Sequence, residues 1–78
     1  MLYEQSLVIE RRLHDLLQLI RAGRHSTPAL AKTLGVSEPT IWRGIAALRH
    51  RGYSIRSVKQ SNHWAYELLA EPSTDSPV

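Results

Sequence analysis

LGVSEPTIWRGIAALRHRGY, residues 34–53, carries the signals of one helix together with both of its ends. Gly35 closes what precedes it. Ser37 is an N-cap whose hydroxyl can accept from free backbone N–H groups, and Pro39 falls in the first turn, where no donor is needed. Ile41, Ile45 and Leu48 then share one face, and Gly52 ends the run. Away from that stripe lie Pro39, Trp42, Arg43 and Ala46, with Arg49, His50 and Arg51 at the far end. By itself the stretch is either the third helix of a small core or a helix with an outer face built for a ligand. Its flanks separate the two.

Upstream, Ser26 or Thr27 caps a second helix with Pro28 in its first turn, and Leu30, Ala31 and Leu34 form its buried stripe up to Gly35. Before it, Ile9, Leu13, Leu16, Leu17 and Ile20 recur at helical spacing, and Gly23 marks the stop. Residues 1–11 are either a lead-in or an extension of that first helix. Downstream of Gly52 the period changes: Tyr53, Ile55 and Ser57 alternate with Ser54, Arg56 and Val58, and Trp64 to Leu68 alternate again. The polar residues Lys59, Gln60, Ser61, Asn62 and His63 form the turn between two strands, giving a β-hairpin. Residues 71–78, EPSTDSPV, have the composition of a disordered tail. The fold class is mainly α with a small β-hairpin, and its single domain occupies residues 12–70.

The totals limit what such a chain can be. Its 78 residues make one domain, with a core that supplies only roughly 3–5 kcal/mol of net stability. There is no cysteine, so neither a disulfide framework nor a thiolate metal site is available. No run approaches the ~18–20 apolar residues that span a bilayer, and the start lacks a signal-peptide pattern. A cytoplasmic protein is the expectation, nucleoid-associated if it binds DNA. The net charge of +3 conceals an asymmetry: residues 21–63 hold eight Lys and Arg against Glu38 alone, while the remainder is acidic. A basic middle between acidic ends suits a polyanion, although a solvated face without a partner would read the same way.

With helix, helix, tight turn, helix and hairpin in that order, residues 12–68 resemble the winged helix-turn-helix DNA-binding domain of DeoR-type and WYL-type bacterial regulators. They are similar also to the N-terminal domain of the biotin protein ligase repressor. LAKTLGVS, TIWRGIAALRHRGY and the closing WAYEL carry the resemblance. It implies a three-helix bundle with a two-stranded wing. Two departures stand out: Gly44 where the family often has an acidic residue, and His63, Trp64 and Ala65 where a glycine is common beside the wing's aromatic residue. The regulators' effector domains have no counterpart in these residues.

In helix-turn-helix docking the start of the second motif helix meets base edges in the major groove. The resemblance thus nominates Glu38, Pro39, Thr40, Trp42 and Arg43 as base-contacting candidates. Arg43 suits a bidentate contact to guanine, and its competing reading is an exposed helix arginine. Trp42 either stacks on a sugar or thymine methyl, or packs back on the second helix. Glu38 chiefly favours the positive end of the helix dipole. Phosphate candidates are Ser26, Thr27 and Ser37 at helix N-termini, with Arg49, Arg51 and Arg56. The wing, Lys59 to His63, would follow the backbone or enter the minor groove.

Enzyme chemistry has little to stand on: the chain offers no cysteine nucleophile, glycine-rich phosphate loop or paired carboxylates. His14, His25, His50 and His63 lack metal-ligand spacing, and Glu10 and His14, one turn apart, read as a surface ion pair. No cofactor, metal or small-molecule effector is indicated. The expected partner is double-stranded DNA, bound by a homodimer joined through Leu2, Leu7 and Val8 of the N-terminal helix. Two other roles fit the same residues: a winged-helix protein-interaction module, and a DNA-targeting component of a recombination or plasmid-maintenance system. Gly44 costs about 1 kcal/mol against alanine in a helix interior, so a closely approaching helix is expected there.

Overall fold

The computed structural model describes residues 2–72, with side chains from residue 7 onward. It contains α1 (Leu2–Ala22), α2 (Thr27–Leu34), α3 (Glu38–His50), β1 (Ser54–Gln60) and β2 (His63–Ala70). Three helices enclose the core and the two strands form an antiparallel hairpin, a winged helix-turn-helix. Residues 73–78 of the expected tail lie outside the described residues. Glu71 is paired with Arg21, and the side chain of Pro72 lies against Gly52.

Leu13, Leu16, Leu17 and Ile20 of α1 meet Leu30 and Ala31 of α2 and Ile41, Ile45 and Leu48 of α3. Ile55 of β1 completes this cluster, with Tyr53, Tyr66 and Leu68 packed against it. Burying a side chain of this size contributes roughly 1.5–3 kcal/mol. The core is thus a few residues from each element, and the hairpin is joined to it through Ile55.

The helix ends form as local chemistry dictates. Ser26 caps α2 by accepting from Ala29 N–H at 3.3 Å, and Ser37 caps α3 by accepting from Thr40 N–H at 3.3 Å. Gly23, Gly35 and Gly52 follow the three helices at φ 74°, 70° and 104°, the left-handed region where a side chain would strain the chain. Between α2 and α3 only Gly35, Val36 and Ser37 intervene, and the Val36 N–H donates back to Ala31 O at 3.0 Å. That tight turn sets the angle between the two motif helices.

Three local expectations are corrected. Ile9 belongs to the α1 stripe by spacing, yet its side chain is exposed. The helix starts at Leu2 and passes beyond what α2 and α3 can cover, so its first turns carry Leu7, Val8 and Ile9 into solvent. Glu10 is bound not to His14 but to Arg51, whose two terminal nitrogens reach its carboxylate at 3.0 and 2.5 Å. A fork-on-carboxylate pair outcompetes a single imidazole contact one turn away.

The turn of the hairpin is also shorter than its polar composition suggested. Lys59 pairs with Trp64 and Gln60 with His63 in the ladder, which leaves Ser61 and Asn62 alone at the tip, Ser61 at φ 53°. Backbone pairing does not require apolar side chains, so a polar run extends a strand as readily as it ends one. At the base, Leu69 is an extra residue opposite the Ser54–Ile55 step, a bulge that lets the strand bend.

Candidate nucleic-acid interface

The face of α3 is decided by what its other face packs against. Ile41, Ile45 and Leu48 are buried, and a Cβ added at Gly44 would lie 2.7 Å from Leu16 Cδ2 and 3.6 Å from Leu13 Cδ2. Close approach of α1 is therefore what Gly44 serves. The opposite side leaves Glu38, Pro39, Trp42, Arg43, Ala46 and His50 exposed, with Thr40 half-buried. Trp42 keeps 54% of its surface in solvent and is absent from the side chains packed on the core, so the indole is not folded back. The Thr40 hydroxyl is held by the Ser37 hydroxyl at 2.9 Å, which ties both to the capping of α3.

A family model described as HTH domain matches residues 11–66, most of α1 through to Tyr66 of the second strand. The chain belongs to the HTH domain family. None of the curated proteins and none of the solved structures compared with it matches significantly. The match makes α2, the turn at Gly35–Ser37 and α3 the helix-turn-helix of a DNA-binding domain, and the hairpin its wing. Domains of this family are typically not enzymes. No helix among the described residues is long and apolar enough to cross a membrane.

Seen on this HTH domain, the charge asymmetry of the chain takes a different form. Three arginines of the basic middle are matched by carboxylates from the acidic ends: Arg21 by Glu71, Arg51 by Glu10, and Arg56 by Glu67 at 3.2 Å. Hydrogen bonding to Arg51, followed by its charge, holds the Glu10 carboxyl below its ordinary pKa, and the same contact raises Arg51. Arg49 instead lays its guanidinium on the carbonyl of Ile55, with Nε at 3.1 Å and Nη2 at 2.8 Å, fastening the end of α3 to β1. Arg24, Lys32, Arg43, Arg49 and Lys59 remain without a carboxylate partner among the described residues. Of these, Arg24 and Lys32 are exposed cations that motif reasoning passed over, although the charge count of residues 21–63 already contained them.

The start of α2 is built into the wing. The Thr27 hydroxyl lies 2.8 Å from the Tyr66 hydroxyl, and Tyr66 N–H donates to His25 O at 2.9 Å. The Gln60 side-chain amide donates to Gly23 O at 2.9 Å. The connection between α1 and α2 is thus clamped by β2 and by the end of β1. Ser26, Thr27 and the wing consequently share one rigid neighbourhood. Lys59, Ser61, Asn62 and His63 are exposed around the tip, and Trp64 beside them is exposed as well.

Proposed function

We propose that this HTH domain binds double-stranded DNA sequence-specifically and acts in transcriptional control. The observation that carries the proposal is the division of α3. One face is wholly spent on the core and on α1, while the other presents Trp42 and Arg43 with no internal partner among the described residues. A helix of this kind fits the major groove of B-DNA, where base edges carry a distinct donor and acceptor code. Arg43 is the guanine-reading residue, worth about 1–3 kcal/mol of discrimination. Glu38, Pro39, Thr40 and Trp42 flank it on the base-facing side. Ser26, Thr27 and Ser37 offer backbone N–H groups and hydroxyls to phosphates at the starts of α2 and α3. The wing, with Lys59, Gln60, Ser61, Asn62 and His63, runs along the backbone or the minor groove. Arg49, Arg51 and Arg56 add phosphate contacts only by sharing or leaving the partners they hold within the fold, so their contributions are smaller than that of Arg43.

One domain of 8.9 kDa offers little interface area, so tight binding requires two copies on two half-sites. The exposed Leu7, Val8 and Ile9 of α1 supply an apolar surface for joining them. The same surface, with the exposed Trp42, also favours a second reading, a protein-interaction module.

Salt separates the two. Neutralising about four phosphates gives a log–log salt slope of about −3 to −4. An apolar protein contact has almost no slope. Selection of bound sites from a random duplex pool then yields site, symmetry and half-site spacing together. No binding to any duplex at low salt, or binding unaffected by Arg43→Ala together with Lys59→Ala, overturns the DNA reading.

A further inference from the structure

Trp64 is one of two tryptophans in the chain and lies at the end of the wing with 57% of its surface exposed. It is not among the side chains packed on the core. Its cross-strand partner is Lys59, and side chains alternate along a strand, so Lys59 and Trp64 share a face with Ser57 and Tyr66. The Tyr66 hydroxyl, at Thr27, marks that face as the one turned toward the start of α2. The opposite face carries Arg56 with Glu67 and Gln60 with His63, and it is pinned by Gln60 to Gly23 O. With both faces anchored at the α1–α2 connection, the direction in which the indole is presented is set by the fold. No carboxylate occurs from residue 57 to residue 66, so nothing near the tip repels a phosphate.

A largely exposed indole opposite an ammonium, on the hairpin face turned toward the start of α2, has the chemistry of a sugar–phosphate contact. Its aromatic plane matches a deoxyribose or a base edge, and its cation matches the adjoining phosphate. We propose that Trp64 and Lys59 form a second DNA contact, in which Trp64 packs into the wall of the minor groove beside the α3 site and Lys59 pairs with a phosphate at its rim. The inference rests on the DNA reading above and assigns to the wing a residue outside its turn. The wing then contributes by apolar packing as well as by charge.

The test uses the full chain and a duplex from the site selection. The parent's indole emission should change along the same isotherm that anisotropy of the labelled duplex reports, and the share due to Trp64 is its difference from the Trp64→Phe variant, with Trp42 left intact. Trp64→Ala should weaken binding roughly tenfold with an unchanged salt slope, Trp64→Phe should retain most of the affinity, and Lys59→Ala should lower the slope by about 1. Circular dichroism of each variant reports that the fold is kept. Trp64 emission that stays constant through saturation, with Trp64→Ala binding as tightly as the parent, overturns the wing contact while leaving α3 on the DNA. Trp64 emission that changes with protein concentration in the absence of DNA overturns it in favour of self-association. Failure of the unsubstituted chain to bind any duplex at low salt removes the DNA reading itself.

Discussion

Two amphipathic helices of this domain use their faces in opposite ways. α3 is covered along its whole apolar stripe, Ile41 to Leu48, and what it leaves outside is a tryptophan, an arginine and small or polar residues. α1 is covered only from Leu13 onward, and its first turns leave Leu7, Val8 and Ile9 outside. A helix whose surplus face is polar and cationic is suited to a polyanion. One whose surplus is aliphatic on several sides is suited to another apolar surface. The crossing point between them, at Gly44, is where both assignments begin.

The largest effects should come from that crossing. Leu13→Ala removes a buried side chain from the stripe and should cost about 2–5 kcal/mol, enough to unfold much of so small a domain. Ile9→Ala, one turn earlier on the same stripe, should cost less than about 1 kcal/mol, because its side chain is already in solvent. Comparable losses in chemical denaturation would show that the first turns of α1 are packed in solution and would dissolve the contrast.

Gly44 sharpens the same comparison from the other side. Gly44→Asp pushes a carboxylate toward Leu16 and Leu13 and should destabilise by more than about 2 kcal/mol. Gly44→Ala gains about 1 kcal/mol of helix propensity and loses about 1–3 to overpacking against Leu16, a side chain only 1% exposed. Its melting temperature should fall modestly. A Gly44→Asp variant as stable as the parent would refute close packing at the crossing.

For the DNA face, Arg43→Ala should weaken binding to the selected duplex roughly tenfold or more and relax preference at one base pair. Arg51→Ala, whose guanidinium is held by Glu10, should change affinity no more than about threefold at matched salt. Equal losses measured by anisotropy would mean that the Glu10 pair opens to serve phosphate. For the apolar face, Val8→Glu should leave the helix content intact and abolish concentration-dependent assembly in sedimentation. Assembly that persists would move the contact elsewhere.

The smallest effect concerns acid. The folded pKa of Glu10 is lowered from its ordinary 4.5 by Arg51. Its contribution to stability is therefore complete above pH about 4.5 and is lost as pH falls through the lower folded value. Glu10→Gln should flatten this acid limb slightly and leave neutral stability almost unchanged, since both groups are solvent-exposed. A steeper acid limb in the variant would reverse the sign of the coupling.

Most of the helix-turn-helix was legible because it is written in local terms. Caps at Ser26 and Ser37, prolines at 28 and 39, and glycines at 23, 35 and 52 act within a turn of themselves, and each ends or starts a helix where spacing predicts. The wing was half legible: alternation gave its strands, but Lys59, Gln60 and His63 were absorbed into the ladder because pairing there is a backbone matter. Trp64 escaped notice as a site because an aromatic in a strand usually packs inward; it shares a face with the core-packed Tyr66 and Leu68, yet it is absent from the core and stays exposed.

By itself, then, the sequence determined the elements, their ends and which face of α3 is buried, since all of these follow from interactions a few residues apart. Only the tertiary structure decided which cations are committed. Arg51 meets Glu10 across 41 residues and Arg21 meets Glu71 across 50, separations at which composition reports only a sum of charges. Folding brings particular carboxylates to Arg21, Arg51 and Arg56, and leaves Arg43 on the outer face of α3 with none among the described residues.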